Sequence, residues 1–543
     1  MMLKLLINVL FYCIEIGLLS WFTPCVSGVY VREIGVVASN SKSFEAPILI
    51  FKDAEGFVRE EMLVVVEDVR FVGRRYLGVL RFATKFDPLL TVTQRSAVVE
   101  RPEIAQEGAD IPYETAVVRI IGEVVGGRVE PSTTPPTPRS RVYAVESPHD
   151  IDLDLGKGLV IGVHKYSGIE IPMNIDALRY HIAVVGTTGT GKSRLVKALI
   201  DEVIEKTSWS VIVFDHTGVD YVPYWPNKTV DTSKIVLDID TITEGLKVAV
   251  GAIENLIEDY VPIALLRYIV CRSGHQLCSQ IEEMFTVSKA GVKGRSEDAR
   301  IGVAEVSRDL VENLVISVSS KNLWNVAEFS KIVAETATKL GARTPTPQKL
   351  ALYITLFGDH YVKRLNRMSM KIDEVVEKAR RDRVVVIDLS SIETEARRVI
   401  VKRVLERLWE IVTETLKPVN TLVVIDEAHN YACEHGCRPS NILIEKSLRE
   451  GRKWGLGVVL ASQRVIDFST DVRNNVNTVF FSKLQTPYDF KQLEGFVDLA
   501  GIRPETLSLL NTREFFFAGL GNPLKYPMLI KVREVGNPGV PRI

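Results

Sequence analysis

Six cysteines in 543 residues are too few to staple a fold, so a disulfide scaffold is excluded and a reducing, intracellular setting is expected. Neither sign of charge is in excess. Lys plus Arg (67) nearly cancels Asp plus Glu (68), leaving a net charge of −1 and no global field to draw in a polyanion. Any nucleic-acid contact must come from local patches. There is no internal repeat, which excludes a solenoid, and low complexity is confined to the proline-rich Pro131–Pro138. The composition that remains is globular, 46% hydrophobic and 25% charged, with length for two or three domains.

Against that background stands Gly186-Thr187-Thr188-Gly189-Thr190-Gly191-Lys192-Ser193, a complete G-x-x-x-x-G-K-[ST] pattern. The apolar run His181–Val185 predicts a short buried strand before it, and Arg194–Ile204 has the spacing of an amphipathic helix after it. Glycines there let backbone N–H groups turn inward at a helix N-terminus and cradle phosphate oxygens. Lys192 has the reach for β- and γ-phosphates, and the Ser193 hydroxyl suits Mg²⁺. The loop, with Arg194 at its exit, predicts a bound nucleoside triphosphate, ATP with Mg²⁺.

A second signal is the apolar run Leu422–Ile425 ending in Asp426 and Glu427. It predicts a buried strand delivering two carboxylates to its C-terminal edge, where ligands bind in open α/β sheets. Asp426 is then placed for the Mg²⁺ shell and Glu427 to polarise an attacking water. Gln463 follows the apolar run Gly457–Ser462, where an amide can sense the γ-phosphate. Arg452, in the basic stretch Leu448–Gly455, suits a guanidinium that reaches a neighbouring subunit's phosphates, the alternative being a solvated helix face. Asp215 ends the run Val211–Asp215 and either orients water or caps a helix; spacing leaves both open. Adjacent acids argue for hydrolysis, and no Leu-Ser-Gly-Gly-Gln signature follows the phosphate loop, which disfavours an ABC-type clamp.

These motifs sit in two patterns. From residue 29 to 128, β-branched runs at Val31–Ala38, Pro47–Phe51, Met62–Val69, Tyr76–Phe82 and Ala116–Val125 suggest a small barrel. Residues 129–150, with Pro131–Pro138, read as a stiff connector at a domain edge. From 151 to 535, strands alternate with helices: Ile182–Gly186, Val211–Asp215, Val384–Asp388, Thr421–Asp426, Gly457–Ser462, Thr478–Ser482, Glu514–Ala518 and Met528–Val532, with a helical insertion at about 241–375. Residues 536–543 form a tail. Residues 1–28 contain the apolar run Leu5–Val26, with Lys4 ahead and Glu15 inside. That run is a signal peptide, a membrane anchor, or an extension from a misassigned start; Glu15 would be costly at mid-bilayer.

Taken in order, the phosphate loop, the Val211–Asp215 strand, the D-E-A-H at Asp426–His429, the R-E-G-R-K-W-G-L-G from Arg449 and the A-S-Q-R ending at Arg464 resemble the HerA family, ring ATPases akin to FtsK translocases. The likeness spans about residues 29–535. It implies an α/β, RecA-like P-loop core with a helical insertion, preceded by a HAS-barrel-like domain whose Leu77–Val79 and Asp87–Leu90 segments are also similar. It further implies a hexameric translocase or helicase on double-stranded DNA, working with a NurA-type nuclease in end resection for break repair, in the cytoplasm. Site roles carry over to Lys192, Ser193, Asp426, Glu427 and Arg452, and place Lys531 and Val532 beside adenine. Three departures stand out: Thr217–Tyr221 replaces the family's His-Gly-Glu-Tyr, Tyr180 stands where an arginine is common, and the apolar N-terminus is untypical. The last keeps a membrane-anchored relative of conjugative motors as an alternative function; a slow nucleotide-dependent assembly switch is another.

Weaker signals remain. Cys433 and Cys437 flank His435, and Cys271 and Cys278 bracket His275, a partial zinc set or ordinary thiols. The basic loop 288–295 and the cluster Lys363, Arg364, Arg367 are candidate phosphate contacts.

Overall fold

The computed structural model describes residues 32–87, 113–287, 307–465 and 468–536. The apolar run Leu5–Val26, the basic loop 288–295 and the last residues of the tail lie outside the described residues. The described residues form two compact units, one reaching to Asp154 and the other holding nearly all that follows.

In the first unit, alternation builds a barrel. Its strands are β1 (Glu33–Val37), β2 (Glu45–Ile50), β3 (Leu63–Glu67), β4 (Arg75–Phe86), β5 (Tyr113–Val125), β6 (Arg128–Glu130) and β7 (Arg141–Ala144). The order β2-β1-β7-β3-β4-β5 closes on itself because β2 also pairs with β5, while β6 extends β5. Strand β5 alternates strictly between buried and half-exposed positions, sending Ala116, Val118 and Ile120 into a core with Ile34, Val64, Tyr76 and Leu80. One charged pair is buried at its wall: Arg81 Nε and Nη2 donate to Glu61 Oε1 and Oε2 at 2.8 and 3.1 Å. Burial pushes the Glu61 carboxyl up while Arg81 pulls it down.

The connector at 129–150 needs correction. Its second half is β7, a barrel strand inserted between β1 and β3. The proline segment itself is tied to the barrel, with Thr137 N–H donating to Asp68 Oδ2 and Ser41 Oγ donating to Pro136 O. A four-residue strand that pairs with non-sequential neighbours carries no hairpin signal, so periodicity missed it.

The second unit is a ten-stranded sheet. Its strands are β8 (Gly162–His164), β9 (Ile182–Val185), β10 (Ser210–Asp215), β11 (Thr229–Asp231), β12 (Val384–Asp388), β13 (Thr421–Ile425), β14 (Leu456–Ser462), β15 (Thr478–Phe481), β16 (Glu514–Gly519) and β17 (Met528–Val532). The order is β11-β12-β10-β13-β14-β9-β15-β16-β17-β8, parallel as far as β15 and antiparallel beyond. All eight expected strands are present. The two additions, β8 and β11, are three-residue edge strands too short for a periodic signal. Between β11 and β12 the helical insertion runs from Ile239 to Asp382, with Glu254–Ser273 and Val326–Lys339 among its helices.

The cysteines also differ from expectation. Cys271 pairs with Cys278 and Cys433 with Cys437 as disulfides, so these are neither free thiols nor zinc ligands. No group of three or more His, Cys, Asp or Glu among the described residues is arranged to hold a metal. No helix among them is long and apolar enough to cross a membrane.

Candidate nucleotide site

Strand order creates the site. β14 lies between β9 and β13, so the phosphate loop, Glu427 and Gln463 leave neighbouring parallel strands at one edge of the sheet. The loop runs from Gly186 into the helix Lys192–Lys206, with Gly189 and Gly191 at φ of 83° and 98°, a region that favours glycine. A Cβ at Gly191 would also meet Arg513 Cγ at 3.4 Å. Lys192 is buried and its Nζ donates to Gly186 O at 2.8 Å, holding the ammonium within the loop. Burial lowers its pKa, opposed by Glu427, Asp426 and Asp220. Ser193 is half-buried in the first turn, while Arg194 is exposed there. Thr187 N–H donates to Lys483 O at 2.8 Å and Thr190 Oγ1 to Thr187 O at 2.8 Å, so the loop is braced on both sides.

The two carboxylates at the end of β13 differ in environment. Asp426 is nearly fully buried, and burial with Glu427, Asp220 and Asp215 nearby raises its carboxyl well above the usual range. Glu427 has left-handed backbone, φ 44° and ψ 49°, which turns its side chain toward β14. There Gln463 Nε2 donates to Glu427 Oε1 at 2.7 Å, and Thr188 Oγ1 donates to Gln463 Oε1 at 3.0 Å. Glu427 Oε2 has no hydrogen-bond partner among the described residues, although His429 Nδ1 lies 3.3 Å away. A chain of contacts thus joins the phosphate loop to Glu427, whose second carboxylate oxygen is left without a hydrogen-bond partner among the described residues.

Of the two roles left open for Asp215, orienting water or capping, its contacts match the second in kind. Its carboxylate is fully buried and accepts the N–H groups of Thr217 and Gly218 on Oδ1 and of Tyr221 and Val222 on Oδ2, at 2.8–3.2 Å. It shapes the 216–222 loop, and that loop carries Asp220, whose charge acts on Lys192, Lys197 and Asp426. Asp220 is thus the acid of this loop whose charge reaches the phosphate-loop lysine and Asp426.

At the far side of the loop, Thr512 Oγ1 donates to Gly189 O at 3.2 Å and Arg513 N–H to Thr190 O at 2.8 Å. Val532 is buried and its N–H donates to Arg513 O at 2.9 Å, whereas the Lys531 side chain is exposed. The end of β17 thus flanks the phosphate loop through Arg513. Thr512 and Arg513 lie more than 300 residues downstream in no motif, and nothing in the sequence marks them.

Arg452 is in a 3₁₀ turn, Gly451–Trp454, that precedes β14. In a parallel sheet that is the edge opposite the phosphate loop, and seven strand residues separate the two ends of β14, roughly 23 Å. Arg452 does not reach its own subunit's phosphates. Of the basic cluster, Lys363 pairs with Asp359 at 2.7 Å and Arg364 with Glu393 at 3.1 Å, leaving Arg367 exposed.

The description "Helicase HerA, central domain" matches residues 159–408. The DNA double-strand break repair helicase HerA of Saccharolobus solfataricus is 22% identical over 512 residues, covering 92% of each chain. The protein of that name from Sulfurisphaera tokodaii is 25% identical over 511 residues, again covering 92% of each. That of Pyrococcus furiosus is 24% identical, covering 77% of this chain and 78% of its own. Among solved structures, VirB4 of Thermoanaerobacter pseudethanolicus aligns with a TM-score of 0.40 at 16% identity, over 70% of this chain and 97% of its own.

Proposed function

We propose that this chain, whose residues 159–408 match the HerA central domain and which is 22–25% identical to HerA helicases over most of its length, is a ring-forming motor on double-stranded DNA. It is an ATP-hydrolysing, HerA-like DNA translocase. The finer reading is a hexamer in the cytoplasm that processes DNA ends in break repair with a nuclease of the NurA type. The name carried by the curated relatives supports the repair role. The observation that supports the ring is Arg452, an exposed arginine at the sheet edge away from its own phosphate loop, where it is placed to serve a neighbour's site.

Within one subunit, the Gly186–Ser193 backbone and Lys192 bind the phosphates of ATP. Ser193, in the first turn after the phosphate loop, and Asp426, buried at the end of β13, would hold Mg²⁺ through a hydroxyl and a carboxylate. When bound, that ion neutralises charge on the β- and γ-phosphate oxygens. Glu427 takes a proton from the attacking water at Oε2, while Gln463 fixes the carboxylate through Oε1 and senses the loop through Thr188. The neighbour's Arg452 stabilises charge on the transferring phosphoryl group.

The decisive measurement is ATPase rate and oligomer mass with and without linear duplex DNA. The motor reading expects a ring-sized particle whose turnover rises on duplex. An assembled ring whose rate ignores duplex would leave the assembly-switch reading in its place.

A further inference from the structure

The arginine that serves a neighbour has to be held out from the surface without being neutralised. The Arg452 guanidinium lies over the face of Tyr180, its Cζ 4.1 Å from the ring centroid. That is within the range of a cation–π contact. Arg452 is exposed, and no carboxylate among the described residues pairs with it, so its N–H donors remain available. Tyr180 is half-buried at the end of the turn Ile175–Tyr180, on the sheet edge that bears Arg452.

The backbone that carries the ring is well anchored. Tyr180 O accepts from Asn477 N–H at 3.1 Å, and the next residue, His181, is buried with its Nδ1 accepting from Val458 N–H at 3.2 Å. Val458 belongs to β14, so the platform and the arginine turn are fixed to the same strand. Gly457 allows this closeness, because a Cβ there would lie 2.3 Å from Leu178 O.

We propose that Tyr180 is a positioning residue that pre-orders Arg452 for the ATP site of the adjacent subunit. This rests on the reading of Arg452 as acting in trans. A free arginine loses much rotamer freedom on reaching a phosphate; one already laid on a fixed ring loses less. The ring face attracts the cation without supplying a counter-charge, so the guanidinium keeps its affinity for the phosphoryl oxygens. The hydroxyl has no part in this.

The test uses full-length rings. Tyr180→Leu should lower kcat by about threefold to thirtyfold, with KM for ATP and melting temperature near wild type, and Tyr180→Phe should restore the rate. Subunit mixing then assigns the direction of action. Tyr180→Leu subunits own intact ATP sites, so turnover should recover when they are mixed with Glu427→Gln subunits, which offer a normal Arg452. It should not recover in mixtures with Arg452→Ala subunits. If Glu427→Gln subunits rescue Arg452→Ala but not Tyr180→Leu, Tyr180 acts within its own subunit and the proposal is wrong. If they rescue neither, the trans reading of Arg452 fails and takes the proposal with it. A Tyr180→Phe ring as slow as Tyr180→Leu would assign the effect to the hydroxyl and overturn the proposal while leaving Arg452 in place.

Discussion

Glu427, the proposed water-activating residue, has strained backbone. A non-glycine residue in left-handed backbone costs of order 1–3 kcal/mol and persists where surroundings enforce it. Here the carboxylate is turned to Gln463, and Oε2 is buried without a hydrogen-bond partner. Glu427→Gln should therefore bind ATP within about twofold of wild type while kcat falls by about 10²- to 10⁴-fold, read by nucleotide binding beside single-turnover hydrolysis. Turnover near wild type would move the base elsewhere. Asp215 makes the opposite forecast. Asp215→Asn would present an NH₂ group to backbone N–H donors that now meet carboxylate oxygens. It should lower stability by about 2–3 kcal/mol in denaturant unfolding, with activity per folded molecule largely kept. A selective collapse of kcat at unchanged stability would restore Asp215 to the catalytic set.

At the scale of elements, β14 is the member that joins the two halves of the proposed mechanism. The turn before it carries Arg452 and its last residue leads into Gln463, so in the proposed ring one strand spans the sheet from a neighbour's site to its own. The pin at its start is titratable. Burial lowers the His181 pKa to about 4, because the imidazolium would lose its water. The unfolded chain takes up that proton near pH 6.5, before the folded one does. The stability owed to neutral His181 is thus complete above about pH 6.5 and is lost as pH falls toward 4, up to about 3 kcal/mol. Unfolding measured from pH 7.5 to about 4.5 should show this slope, reduced in His181→Gln; identical slopes would mean that His181 does not titrate on unfolding. Elements also mark where local pattern was insufficient. The long apolar strands of the sheet were legible because helices cover both their faces, whereas β7, β8 and β11 are defined by their partners rather than by their own three or four residues.

For the whole molecule, the disulfides change what six cysteines mean. Cys271–Cys278 spans seven positions and Cys433–Cys437 four, short loops whose closure removes about 2 kcal/mol of unfolded-chain entropy each. Thiol reductant should therefore lower the melting temperature by a few degrees, and replacing all four cysteines with serine should abolish that sensitivity; a wild-type melting curve indifferent to reductant would count against both bridges. The cysteine count alone could not reveal them, since pairing depends on where two sulfurs meet in space. The same distinction runs through the protein. The phosphate loop, Asp426, Glu427 and the apolar strands are contiguous stretches whose residue types carry their own chemistry, so the sequence by itself determined that this is a triphosphate site at strand ends. Strand order decided the rest: β14 between β9 and β13 brings Gln463 to Glu427 and Thr188, β7 closes the barrel, Asp215 turns inward to its loop, and Arg452 falls on the far edge against Tyr180. Those are long-range pairings, and no local periodicity encodes which strand will lie beside which.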